Sequence, residues 1–155
     1  MFISETTIDA VVEALESADF ELEIEEFGKE QPALMGYVFS EDFDLLTQEE
    51  RELMLFLMLV IWQSILRDGG EVEPVSKLAL EDAEEHNWEL LETVKSNNFR
   101  DRMTVFFDDS DQEDLLAFVE DNLVEDEDSV VTKEGREPIF VALKSVIDIL
   151  TKNEA

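Results

Sequence analysis

The chain has 155 residues, 45% of them apolar, and contains no cysteine. Its 41 acidic and 11 basic residues give a formal net charge of −30. This length and composition predict a single globular domain over residues 1–155, and the lack of thiols excludes a disulfide framework and thiolate zinc sites.

The acidic charge restricts the classes of partner. Residues 1–28 and 103–132 contain no Lys or Arg. A surface this negative repels nucleic-acid phosphates and anionic lipids, whereas it attracts basic proteins and cations. The N-terminus has no base ahead of an apolar run, and Glu5, Asp9 and Glu13 interrupt it, unlike a secretory signal. We therefore expect a cytoplasmic protein that does not bind nucleic acid directly.

Amphipathic helices are predicted through the N-terminal third of the chain. Ser4 or Thr6 is the candidate N-cap of the first helix. The apolar face of this helix comprises Ile8, Val11, Val12 and Leu15. The next segment, DFELEIEEFG, alternates like a strand, but its Glu content favours a helix with Gly28 as its C-terminal stop. Pro32 then suits the first turn of a short helix.

The segment ELMLFLMLVIWQSIL, residues 52–66, contains ten consecutive apolar residues. As a helix, residues 53–66 of this segment span roughly 21 Å, which is too short for a hydrocarbon core of about 30 Å, and acidic residues flank the segment. It therefore predicts a buried central helix over residues 48–67. Exposure of Met54, Met58 or Trp62 would indicate an oligomer interface instead.

A capping box is predicted at the start of this central helix. In the sequence TQEE, the Thr47 hydroxyl can accept from the Glu50 amide while the Glu50 carboxylate reaches back. Further along the chain, Pro74 or Ser76 opens a helix that ends near Asn97, and a short apolar segment, FRDRMTVFF, follows.

The C-terminal third is predicted to contain two further helices. A second capping box, SDQE at residues 110–113, starts the first of them. An acidic connector follows, and the final helix is expected to begin at Pro138. Altogether the sequence predicts an all-α bundle of about six helices around the central apolar one.

No catalytic, cofactor or metal residue is predicted. The sole histidine, His86, follows Ala83 by three residues, so the Glu-x-x-His spacing of di-metal bundles is missing, although Asp82 lies one turn before it. A calcium-loop template over residues 109–120 places Asp114 where a glycine is needed. Phosphate-binding loops and Gly-x-Ser-x-Gly elbows are not found in the sequence.

Three functional hypotheses remain. The first is a non-enzymatic binding, adaptor or inhibitor protein that presents an acidic surface to a basic protein partner. The candidate acidic patch comprises Asp108, Asp109, Asp111, Asp114, Glu125, Asp126, Glu127 and Asp128. The second is a Mg²⁺- or Ca²⁺-dependent carboxylate enzyme or cation-binding protein, with Asp44 or Asp148 as an inward-facing acid. In the third, the charge reflects a saline environment.

Overall fold

The computed structural model describes residues 2–69, 72–124 and 130–151, and this part of the chain is helical without any strand. Its eight α-helices are α1 (Glu5–Glu16), α2 (Phe20–Glu30), α3 (Pro32–Val38), α4 (Gln48–Gly69), α5 (Lys77–Glu92), α6 (Phe99–Asp109), α7 (Glu113–Leu123) and α8 (Lys133–Thr151). A short 3₁₀ helix, Glu41–Phe43, precedes α4. The predicted all-α bundle is confirmed, with eight helices in place of about six. The segment FRDRMTVFF forms α6.

Helix α4 is the centre of the core. Met54 and Met58 are fully buried and Trp62 is 4% exposed. Helices α1 and α8 pack along α4. Most apolar side chains of the segment are buried, and only Leu53, Phe56 and Leu66 are partly covered, so the segment is a core helix. Within the described ranges, no helix is long and apolar enough to cross a membrane.

Three predicted N-terminal caps are present. The Ser4 and Ser76 hydroxyls accept from backbone amides in the first turns of α1 and α5, respectively. The capping box of α4 is complete, because the Thr47 hydroxyl accepts from the Glu50 amide at 3.0 Å and the Glu50 carboxylate accepts from the Thr47 amide at 2.8 Å. These short-range pairs fix the helix starts as the sequence predicted.

Two predicted helix ends are wrong. Helix α2 continues through Gly28 and ends before Gln31, whose φ of −133° and ψ of 67° are not helical. Proline restricts the residue that precedes it, so Pro32 ends α2 more effectively than the glycine does. Helix α5 ends at Glu92, well before Asn97, and Asn98 instead caps α6 by accepting from the Asp101 amide at 3.1 Å.

The second predicted capping box does not form. The Ser110 hydroxyl accepts from the Gln112 amide at 3.0 Å and not from that of Glu113. Gln112 is the N-cap residue of α7, and its side-chain oxygen accepts from the Ile3 amide at 3.0 Å. A contact with the distant N-terminal segment has thus replaced the local pairing.

The predicted start of the last helix at Pro138 is also wrong, because α8 begins at Lys133 with the proline inside it. The Thr132 hydroxyl accepts from the Gly135 amide at 3.1 Å and so caps α8. The fully buried Glu50 carboxylate accepts in turn from the Thr132 amide at 2.6 Å and hydroxyl at 2.7 Å. One carboxylate therefore joins the starts of α4 and α8.

Candidate functional site

A cleft of about 700 Å³ lies between α5, the turn after α6 and the end of α8. We call it the anionic cleft. The acidic residues that line it are Asp82, Asp109, Asp111 and Asp148. His86 also lines it, and Ala79, Ala83 and Ile149 provide apolar wall. The cleft thus combines several carboxylates with short apolar surfaces.

A fully buried lysine adjoins two of the cleft acids. Lys144 of α8 donates to Asp109 Oδ2 at 2.8 Å, to Asp148 Oδ2 at 2.8 Å and to Asn87 Oδ1 at 3.0 Å. An ammonium group has three N–H donors, so each has an acceptor. The buried charge is therefore both paired and fully hydrogen-bonded, as burial of a charge requires.

Asn87 extends this network between α5 and α8. Its side-chain amide donates to Asp148 Oδ2 at 3.1 Å and to the Ser145 hydroxyl at 3.0 Å. The hydroxyl of Ser145 donates onward to the Val141 carbonyl at 2.7 Å. We call Lys144, Asn87, Asp109 and Asp148 the lysine network. Its bonds hold two of the cleft carboxylates in fixed positions.

Asp109 is held in its charged form. Partial burial by itself would raise the pKa of Asp109, but the hydrogen bond and positive charge of Lys144 lower it below its ordinary value. His86 contributes in the same direction, with Nε2 at 3.2 Å from Asp109 Oδ2. Asp109 is consequently ionised at neutral pH.

The end of helix α6 adds negative potential to the cleft. Asp108 and Asp109 form its last two residues, and its last turn contains no base. A helix C-terminus carries roughly half a negative charge, so acids there repel the helix end. The carboxylates of Asp82 and Asp111 are exposed and make no hydrogen bond or ion pair with the part of the chain that the structure describes. The cleft is therefore suited to a positively charged group.

The predicted acidic patch is divided among several places. Asp109 and Asp111 line the anionic cleft, whereas Asp108 is exposed but does not line it. Asp114 accepts from the Glu5 amide at 2.9 Å and so caps the start of α1. The remaining predicted patch residues lie outside the described ranges and are Glu125, Asp126, Glu127 and Asp128.

The two acids proposed as inward-facing differ in environment. Asp148 is 20% exposed and belongs to the lysine network, while Asp44 is 74% exposed and lies 3.7 Å from Arg51. Sequence reasoning missed Lys144 and Asn87. A signal for Lys144 was available, since it is the only base in the apolar run 139–150 and Asp148, one turn later, is the only acid.

Neither a metal cluster nor a relative assigns a function to the cleft. In the described ranges, no group of three or more His, Cys, Asp or Glu side chains is placed to hold a metal ion. Comparison of the chain with protein-family models, curated proteins and solved structures found no match. Function is therefore inferred from the geometry of the cleft and its charge.

Proposed function

We propose that this chain is a non-enzymatic binding protein whose anionic cleft receives a basic side chain of a protein partner. The observation that carries the proposal is the excess of carboxylate in the cleft. Four acids line it, and Lys144 pairs with only two of them. Asp82 and Asp111 are left exposed to a cation from outside.

The lining of the cleft and the charge of the chain favour a lysine or arginine side chain over a nucleic acid. Both side chains carry an aliphatic stem below the charged group, and they bury that stem against apolar surface. Ala79, Ala83 and Ile149 offer such surface beside the carboxylates. The net charge of −30 attracts a basic partner over long distances, whereas it repels phosphates.

A Mg²⁺- or Ca²⁺-dependent carboxylate enzyme is the weaker alternative. Hard cations need several oxygen ligands at once, about six for Mg²⁺ and more for Ca²⁺. In the anionic cleft, Asp109 Oδ2 and Asp148 Oδ2 already accept from Lys144. A cation would therefore have to compete with the buried ammonium for these two oxygen atoms.

The sole histidine provides a specific reporter for a binding experiment. We would titrate the protein with the peptide acetyl-Gly-Arg-Gly-amide in about 0.15 M NaCl, where long-range attraction is screened, and follow the His86 ring signals by NMR. The expected result is a saturable shift. In a second titration, MgCl₂ or CaCl₂ at matched ionic strength replaces the peptide. A saturable response to these salts but not to the peptide would favour the Mg²⁺- or Ca²⁺-dependent carboxylate enzyme.

A pair of variants separates the cleft from the overall charge. D82N/D111N removes two carboxylates from the cleft, and E13Q/E16Q removes two from the exposed face of α1. We expect the first variant to bind the peptide about fivefold more weakly and the second to bind like the wild type. Equal weakening in both variants would refute a specific cleft site.

A further inference from the structure

The connection between α3 and α4 turns apolar side chains outward. Four large apolar residues lie between positions 39 and 46, and two of them, Phe43 and Leu46, are buried. The other two are exposed, Phe39 by 57% and Leu45 by 95%. Single exposed apolar side chains are common on protein surfaces, so the meaning of these two depends on whether they adjoin a concave surface.

The ring of Phe39 forms one wall of a groove between this connection and the first turns of α4. The groove has a volume of about 380 Å³, and we call it the Phe39 groove. Leu46 and Leu55, which are 8% and 7% exposed, are the other apolar residues that line it. This volume lies at the low end of the range for ligand sites, so the groove suits one large side chain.

A guanidinium group fixes the connection to α4. Arg51 Nη2 donates to the Phe43 carbonyl at 2.7 Å, and Arg51 Nη1 donates to the Val38 carbonyl at 3.3 Å. The Phe43 ring also packs edge-on against Tyr37, with ring centroids 5.0 Å apart. Phe39 lies in the chain between the two bonded carbonyls. Its exposed ring therefore belongs to an ordered surface.

The charge around the Phe39 groove selects the chemistry of a partner. Arg51 is the only base among residues 39–52, and its guanidinium is already engaged with two carbonyls and is 19% exposed. With a net charge of −30, the chain repels a second copy of itself as well as anionic lipid. A segment with an apolar side chain and neighbouring bases complements both the groove and the acids around it. The exposed acids of this range are Glu41, Asp42, Asp44, Glu49 and Glu52.

We propose that the Phe39 groove docks a basic segment of a partner protein through one large apolar side chain. This side chain packs against Phe39, Leu46 and Leu55, as the anchor residues of protein interfaces do in their pockets. Lysines or arginines beside the anchor pair with Glu49 and Glu52 at the start of α4. Residues of α3, α4 and their connection form the groove, and none of them lines the anionic cleft. The docking site therefore stands whether or not the anionic cleft binds a basic side chain.

Three matched peptides test the apolar and the basic requirement separately. The first is acetyl-Lys-Lys-Gly-Phe-Gly-Lys-Lys-amide, the second has Ser in place of Phe, and the third has Glu in place of each Lys. Each would be titrated in about 0.15 M NaCl while the backbone amides of Phe39, Leu46 and Leu55 are followed by ¹H–¹⁵N NMR. The first peptide should give saturable shifts at these amides. The second should bind about fivefold more weakly, and the third should not saturate.

Two pairs of variants locate the binding on the chain. F39S should weaken the first peptide by about fivefold and leave the second unchanged, whereas L22S, which alters an exposed leucine of α2, should affect neither. E49Q/E52Q should weaken the first peptide by about fivefold, and E13Q/E16Q, with the same change in charge, should have a smaller effect. The comparison of peptides on the wild type decides the matter even if F39S does not fold.

Several results would overturn the proposed docking site. Equal binding of the first two peptides to the wild type would mean that charge alone attracts them. Equal effects of F39S and L22S, or of E49Q/E52Q and E13Q/E16Q, would place the binding elsewhere. Sedimentation velocity in 1 M NaCl, where repulsion between copies is screened, should show a monomer. A dimer that F39S abolishes would assign the groove to a second copy of the chain instead.

Discussion

Glu50 is a buried carboxylate that connects two helix starts, and only half of its role is visible in the sequence. Its pairing with Thr47 lies within four residues and was predicted from the capping-box pattern. Its pairing with Thr132 joins residues 82 positions apart, which no local pattern encodes. For this reason the α4 start was predicted correctly, while the start of α8 was placed five residues too late, at Pro138.

Gly135 is the residue that allows this close approach. A Cβ atom there would overlap the Glu50 carboxylate, which cannot move away without losing its hydrogen bonds to Thr47 and Thr132. We expect G135A to lower the free energy of unfolding by about 1–3 kcal/mol in urea titrations. G36A in α3 is the control, because nothing lies within 4 Å of its new Cβ, and it should be neutral or stabilising. Equal effects would contradict the close contact.

The charge of Glu50 gives stability a defined dependence on pH. Burial would raise the pKa of Glu50, but hydrogen bonds from Thr47 and Thr132 outweigh it and lower the pKa below the ordinary 4.5. The folded state therefore binds this proton more weakly than the unfolded state. The ionised Glu50 therefore stabilises the fold fully at pH values above its ordinary pKa of 4.5. This stabilisation is lost as the pH falls through the lower pKa of the folded state.

E50Q tests this dependence directly. A neutral amide cannot accept from both backbone amides and would place an N–H₂ group against a donor, so E50Q should be about 1–3 kcal/mol less stable at pH 7. Urea titrations from pH 7 to pH 3 should show the wild type losing its advantage over E50Q below pH 4.5. A gap that stays constant across this range would show that the carboxylate charge does not matter.

At the scale of helices, the lysine network joins α5, α6 and α8 through polar groups. Local start signals in the sequence predicted that α5 and α8 exist, because such signals lie within a few residues of a helix start. They could not predict that Lys144 points into the core, since its acceptors Asn87 and Asp109 are far away in sequence. Buried polar contacts of this kind depend on how helices assemble.

Replacing Lys144 alone should be more harmful than replacing the whole charge cluster. K144M leaves two carboxylates, 30% and 20% exposed, facing each other without their cation. We expect K144M to cost about 2–4 kcal/mol in urea titrations, reduced from the fully buried case because both acids are partly solvated. K144M/D109N/D148N should recover part of that loss. A triple variant less stable than K144M would contradict this account.

At the scale of the whole molecule, the buried spine and the surface charge oppose each other. Leu57, Leu59 and Ile61 of α4 are fully buried, and they stabilise the fold by removing apolar surface from water. Few bases compensate the 41 acids, so neighbouring carboxylates repel one another in the folded chain. Composition alone predicted that apolar burial and repulsion between carboxylates oppose each other, because neither effect depends on which side chains contact each other.

Salt should therefore stabilise the protein without a specific ion site. Raising NaCl from about 0.01 M to about 1 M shortens the screening length from roughly 30 Å to 3 Å, which weakens repulsion between exposed acids. For a chain of 155 residues, each kcal/mol gained raises the melting temperature by about 2–4 °C. We expect a smooth rise by calorimetry that NaCl and KCl share, with MgCl₂ equal to them at the same ionic strength.

The charge variants show where this salt response originates. D82N/D111N and E13Q/E16Q each remove two negative charges, so in low salt both should melt above the wild type, and this difference should vanish in 1 M NaCl. A larger gain for D82N/D111N would mean that repulsion is concentrated in the anionic cleft, as a site for a cation requires. A saturable gain with MgCl₂ alone, lost in D82N/D111N, would instead favour a divalent ion there, and a flat salt response would show that self-repulsion does not limit stability.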